Sequence, residues 1–190
     1  MTTRIFTIPN VLTLGRLIAV PVFLWASFEG RFTLAFVLFV SAVLTDLFDG
    51  IIARRFNQRS RLGAWLDPVA DKTIMVSGYL FYTLRASLRV PIPPWLTFAV
   101  LIRDVMIVVF VYLFYTRVNI KWFPPSWAGK ISTVMQATVL GCVIAVNGFL
   151  PALEPGLQIL FRIVVVTTLF SAWDYLRRGR RQLDESITAA

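Results

Sequence analysis

The 190-residue sequence has no histidine and a single cysteine, Cys142. These shortages remove the His and Cys ligand sets of zinc sites, the Ser-His-Asp and Cys-His nucleophile pairs, and any intramolecular disulfide. Charge is scarce too: 15% of residues are charged and 57% hydrophobic, with a mean hydropathy of +0.73. That composition lies outside the range of soluble globular domains. No basic, polar domain is left to carry a nucleic-acid site, so the formal charge of +9 does not indicate a nucleic-acid partner. In so apolar a chain, the basic excess suits loops facing anionic lipid. Any chemistry falls to carboxylates, Lys, Arg, hydroxyls and metals that prefer oxygen.

What the sequence does have is long apolar runs. A spanning helix needs roughly 20 mostly apolar residues. The runs predict an all-α integral membrane protein with six transmembrane helices, over 10–28, 32–54, 64–86, 93–116, 127–148 and 156–176. Turn chemistry separates them at Gly30, at Pro91 to Pro94, at Pro124-Pro125 and from Pro151 to Gly156. One membrane domain over 1–180 is expected, followed by a polar tail over 181–190. Arg16 interrupts the first apolar run and no small-residue cleavage pattern follows, so this segment reads as a retained helix rather than a signal peptide.

Basic residues set the expected orientation. Arg4, Arg54, Arg55, Arg59, Arg61, Arg117, Lys121, Arg177, Arg178, Arg180 and Arg181 alternate with loops holding only Arg31, Arg85 and Arg89. The bias puts both termini in the cytoplasm, as in a multi-pass protein of a bacterial inner membrane. Trp25, Trp95, Trp122, Trp127 and Trp173 fall near the expected helix ends, where their rings anchor at the interface.

Six acids lie in or at the rim of these spans: Asp46, Asp49, Asp67, Asp71, Asp104 and Asp174. Each costs at least about 2.5 kcal/mol in hydrocarbon and needs a partner, a cavity or an ion. Asp174 has Arg177 and Arg178 at i+3 and i+4, and an ion pair explains it. Four of the others form a pattern. At 100° per residue, Asp46, Asp49, Gly50, Ala53 and Arg54 share a stripe of the second helix, while Gly63, Asp67 and Asp71 share one on the third. The sequence offers Lys72 as the one lysine beside them, about 100° off the Asp71 direction. Two Mg²⁺ or Mn²⁺ ions could share four carboxylates, and Arg54 brings a fork suited to phosphate. The plainer alternative is a set of buried ion pairs tying helices together. An alternative of another class is a divalent-cation transporter with the acids as its path, although no second half repeats the acidic pattern. Pro68 disfavours helical geometry at Asp67, so the third helix either begins just before it or is kinked there.

The run from Asp46 through Asp49, Gly50, Ala53 and Arg54, then eight residues to Gly63, Asp67 and Asp71, resembles the signature of the CDP-alcohol phosphatidyltransferases, with all eight fixed positions present. The resemblance covers the whole chain, since that family is small and has six membrane helices with the signature on the second and third. It implies a CDP-diacylglycerol substrate and transfer of its phosphatidyl group to an alcohol with release of CMP. It also implies that Asp46, Asp49, Asp67 and Asp71 are metal ligands, with Asp71 the base for the acceptor hydroxyl. Gly50, Ala53 and Gly63 then make room for the nucleotide, Arg54 holds its pyrophosphate, and a homodimer is the implied assembly.

Thr13 and Arg16, and further on Gly129, Lys130, Ser132, Thr133 and Gln136, resemble the branches of the family that use glycerol 3-phosphate and phosphatidylglycerol as acceptors. Arg103, Lys130 and Arg16 are the candidates for acceptor or lipid phosphate, because an unpaired intramembrane cation is expensive. The plainer alternatives are that Arg103 pairs with Asp104 and that Lys130 snorkels. Glycerol 3-phosphate is the expected acceptor. The apolar run after Arg103-Asp104 is the feature that favours phosphatidylglycerol.

Overall fold

The computed structural model describes the backbone over 8–55, 61–117 and 126–188, and the side chains over 13–46, 70, 72–110 and 126–182. Six helices account for nearly all of it: α1 Ile8–Phe28, α2 Phe32–Arg55, α3 Arg61–Leu84, α4 Pro94–Arg117, α5 Trp127–Gly148 and α6 Glu154–Thr188, with a 3₁₀ turn at Pro151–Leu153 before α6. No strand occurs among the described residues. Five helices follow the expected runs closely. The sixth continues to Thr188, through the segment expected to be a polar tail.

Among the described residues, two helices, Trp127–Gly148 and Pro151–Gln182, are long and apolar enough to cross a membrane. The apolar stretches Thr13–Phe28 and Phe32–Asp46 are shorter. Polarity is distributed inside out. Thr13, Arg16, Ser132, Gln136, Thr168 and Ser171 are buried, while Ile18, Ile102, Val108, Ile159 and Val166 are each more than 60% exposed. A bundle in hydrocarbon has this arrangement, because its outside meets lipid and its polar groups must find partners within.

The chain falls into two compact units, Met1–Pro91 with Leu140–Glu154, and Ile92–Val139 with Pro155–Ala190. In the first unit α1 packs against both α2 and α3. Phe23, Ala26, Phe39, Ile74, Tyr79 and Tyr82 form its core. Gly30 ends α1 in the left-handed region at φ 72°, and the Arg31 N–H returns to the Ala26 carbonyl at 2.8 Å. Arg85 at the end of α3 donates to the last carbonyls of α1, those of Ser27 at 3.2 Å and Phe28 at 2.6 Å. The Asn147 amide bonds both the N–H and the C=O of Val90, at 3.2 and 2.9 Å.

Two glycines in this unit allow close helix contacts with different tolerance. A Cβ on Gly148 would stand 2.6 Å from Phe32 Cβ, which is fixed to the start of α2. A Cβ on Gly78 would meet the Leu140 Cδ2 methyl at the same distance, but that methyl can rotate away. Gly148→Ala is therefore expected to cost about 1–3 kcal/mol in thermal unfolding. Gly78→Ala should come out near neutral, because a helix-propensity gain of roughly 1 kcal/mol offsets the crowding. Equal losses at the two positions would contradict this reading.

In the second unit a guanidinium occupies the centre. Arg103 is 6% exposed and bonds outward from α4: Nη1 to Asp104 Oδ1 at 2.8 Å, Nη2 to Ser171 Oγ on α6 at 2.8 Å and to the Gly129 carbonyl on α5 at 3.3 Å. Ser126 caps α5 by accepting the Gly129 N–H at 2.9 Å. A Cβ at Gly129 would come within 3.2 Å of Arg103 Nη2, Ser126 Oγ and Tyr175 Cε2, so glycine is what lets these three converge. A turn further along, Gln136 donates to Ser132 at 3.1 Å and to Thr168 at 3.2 Å.

Candidate active site

The acid-bearing helices both belong to the first unit. Asp46, Asp49, Gly50, Ala53 and Arg54 are placed along α2, and Gly63, Asp67 and Asp71 along α3. Helix α3 begins at Arg61, well ahead of Pro68, so Pro68 lies inside the helix rather than at its start. Of these residues only Asp46 has a described side chain. Those of Asp49, Gly50, Ala53, Arg54, Gly63, Asp67 and Asp71 lie outside the described residues.

Asp46 is met by a cation from another helix. Arg16 Nη1, on α1, donates to Asp46 Oδ1. The Arg16 side chain is 1% exposed and that of Asp46 is 41% exposed, so the carboxylate is anchored on its inner side and open on its outer side. Just before it, the Thr45 hydroxyl bonds back to the Ser41 and Ala42 carbonyls at 2.8 and 2.9 Å, which satisfies that hydroxyl within α2. Sequence reasoning set Lys72 as the nearby cation and Arg16 as a candidate for acceptor or lipid phosphate, and missed the pairing of Arg16 with Asp46. The available signal was Arg16 itself: a charge inside an apolar run with no acid on its own helix must find one elsewhere.

The structure disposes of the remaining candidate cations differently. Arg103 pairs with Asp104, the plainer of its two expected roles, and adds Ser171 and Gly129. Lys130 is exposed, with its ammonium 4.9 Å from the ring of Trp127 in the first turn of the same helix. Asp174 pairs with Arg178 at 3.0 Å, as its i+4 spacing indicates. Arg177 instead covers Trp173 at 5.3 Å. Thr13 and Gln136 are buried, Gln136 in the polar seam with Ser132 and Thr168. Trp25, Trp95, Trp127 and Trp173 are each about half exposed or more, although Trp173 falls within α6 and not at its end.

Among the described residues, helices throughout, exposed apolar side chains and buried polar ones give the character of a lipid-facing helical protein, with acids placed on consecutive helices. Comparison with known proteins specifies it. The chain belongs to the CDP-alcohol phosphatidyltransferase family, whose sequence model matches residues 6–173. It is 33% identical over 187 residues to a protein of Mycobacterium tuberculosis described as a probable phosphatidylglycerophosphate synthase, covering 95% of this chain and 85% of that one. It is also 33% identical to the CDP-diacylglycerol--glycerol-3-phosphate 3-phosphatidyltransferase of Aquifex aeolicus, covering 93% and 97%. The human cardiolipin synthase (CMP-forming) is 37% identical over 194 residues, which cover 93% of this chain and 62% of the human one.

Proposed function

We propose that this protein is a membrane-embedded enzyme of phospholipid biosynthesis that transfers the phosphatidyl group of CDP-diacylglycerol to glycerol 3-phosphate, releasing CMP. The observation that carries the reading is the complete eight-position signature, laid along α2 and α3 of the unit that α1 joins. Relatives named for this transfer match nearly the full chain. In the reaction, the acceptor hydroxyl oxygen forms a bond to the diacylglycerol-bearing phosphorus as the bond from that phosphorus to the CMP oxygen breaks. Asp71 takes the hydroxyl proton. Arg54 holds the pyrophosphate as a bidentate fork, and Gly50, Ala53 and Gly63 leave space beside it for the nucleotide.

The donor set fits hard divalent cations. The sequence offers only oxygen ligands here, and Asp46 keeps a carboxylate that is 41% exposed. Asp46, Asp49, Asp67 and Asp71 would hold one or two ions of Mg²⁺ or Mn²⁺, which when bound supply positive charge against the phosphoryl oxygens. Six spans with both termini on the cytoplasmic side put the signature ends of α2 and α3 on that side, which is where the basic excess is.

A second acceptor is favoured by one feature, the apolar run that follows Arg103-Asp104 in α4. With phosphatidylglycerol as acceptor, the same displacement gives cardiolipin. Labelled CDP-diacylglycerol, incubated with purified protein and either glycerol 3-phosphate or phosphatidylglycerol, separates the two by lipid product. Phosphatidylglycerophosphate is the expected product. Cardiolipin alone would move the assignment to the second acceptor, and no CMP release with either would sink the transferase reading.

A further inference from the structure

The Arg16 and Asp46 pair is unequal in a way that an acid site does not require. The guanidinium is almost wholly buried and the carboxylate half open, with Nη1 and Oδ1 in contact. A guanidinium stays charged in proteins, so α1 carries a permanent positive charge into the interior. Drawing a carboxylate away from a buried guanidinium is unfavourable. Asp46 is therefore engaged before any metal reaches it.

We infer that Arg16 is a built-in counterion that weakens divalent-cation binding at Asp46, holding this carboxylate while the cation is away and opposing the cation when it arrives. The inference rests on the proposed acid site. At Asp46 both positive groups draw on the same carboxylate, and an interaction at contact distance from a guanidinium this buried is poorly screened by salt. A second effect runs the other way, since a carboxylate already ordered by Arg16 loses less freedom on ligation. An aspartate has few rotors to order, so the charge term decides the sign. Arg16 is thus a positioning residue that acts on the metal requirement through Asp46.

The test titrates the purified full chain in detergent with Mn²⁺ alone and reads free Mn²⁺ by electron paramagnetic resonance. Arg16→Met removes the charge at similar length and is expected to bind Mn²⁺ about tenfold more tightly than wild type, which is about 1.4 kcal/mol. Arg16→Lys keeps the charge and is expected to stay within about threefold of wild type. Should Arg16→Met fail to fold, Arg16→Gln carries the same expectation, because it keeps a donor for Asp46 without the charge. Neutral variants that bind Mn²⁺ no more tightly than wild type overturn the inference. If instead Asp46→Asn binds Mn²⁺ as wild type does, the acid-site reading itself fails.

Discussion

Asp71→Asn is expected to lower turnover by about 10²–10⁴-fold, the usual contribution of a positioned general base. An amide accepts no proton at neutral pH, so the acceptor hydroxyl would keep its proton through the displacement. The loss should appear in kcat. Stabilisation of the variant by CDP-diacylglycerol in a thermal-shift assay should persist, because the nucleotide is assigned to Gly50, Ala53, Arg54 and Gly63. Asp46→Asn serves as the contrast: it takes a carboxylate from a buried guanidinium and should lower thermal stability before substrate is added. An Asp71→Asn enzyme with wild-type CMP release would remove Asp71 from the base role.

Arg103→Met is expected to produce the largest stability loss in the second unit, about 3–5 kcal/mol, the range for breaking one side of a buried ion pair. It removes the guanidinium that the Asp104 carboxylate, 12% exposed, and the Ser171 hydroxyl bind, and one of the donors to the Gly129 carbonyl, which also accepts the Thr133 hydroxyl. Adding Asp104→Leu to the same chain should recover part of the loss, since the acid that the guanidinium neutralised is then gone as well. The outcome separates two jobs for one residue. A phosphate contact would leave the melting temperature in place and raise KM for glycerol 3-phosphate, whereas a tie between α4, α5 and α6 lowers the melting temperature first.

These two residues show how far sequence alone reaches. The acid stripes were legible because their spacing is internal to single helices, where 100° per residue fixes which positions align. Helix starts and stops were legible at Gly30 and from Pro91 to Pro94, where a positive φ or a missing N–H leaves little choice. Pairing between helices was not. Arg16 and Asp46 are thirty positions apart, and Arg103 and Ser171 sixty-eight, with no local periodicity to report either contact. The end of α6 was misjudged for a different reason. Trp173 and the arginines after it suggest an interface followed by a loop, yet Leu, Arg and Gln are good helix formers and the helix continues through them.

That continuation changes what the terminal arginines are. At 1.5 Å per residue, the 35 residues of α6 make a rod of about 52 Å, against a hydrocarbon slab of roughly 30 Å. The rod is longer than the slab is thick, and Arg177, Arg178, Arg180 and Arg181 gather toward one end of it. Stepped at 100°, these four side chains occupy an arc of about 160°, and the buried Tyr175 and Gly179 lie on the opposite flank. The helix therefore works as a ruler with a charged edge. Its inner flank keys into the protein, and its outer edge presents four guanidinium groups at set heights and azimuths, which a flexible tail of the same composition could not do.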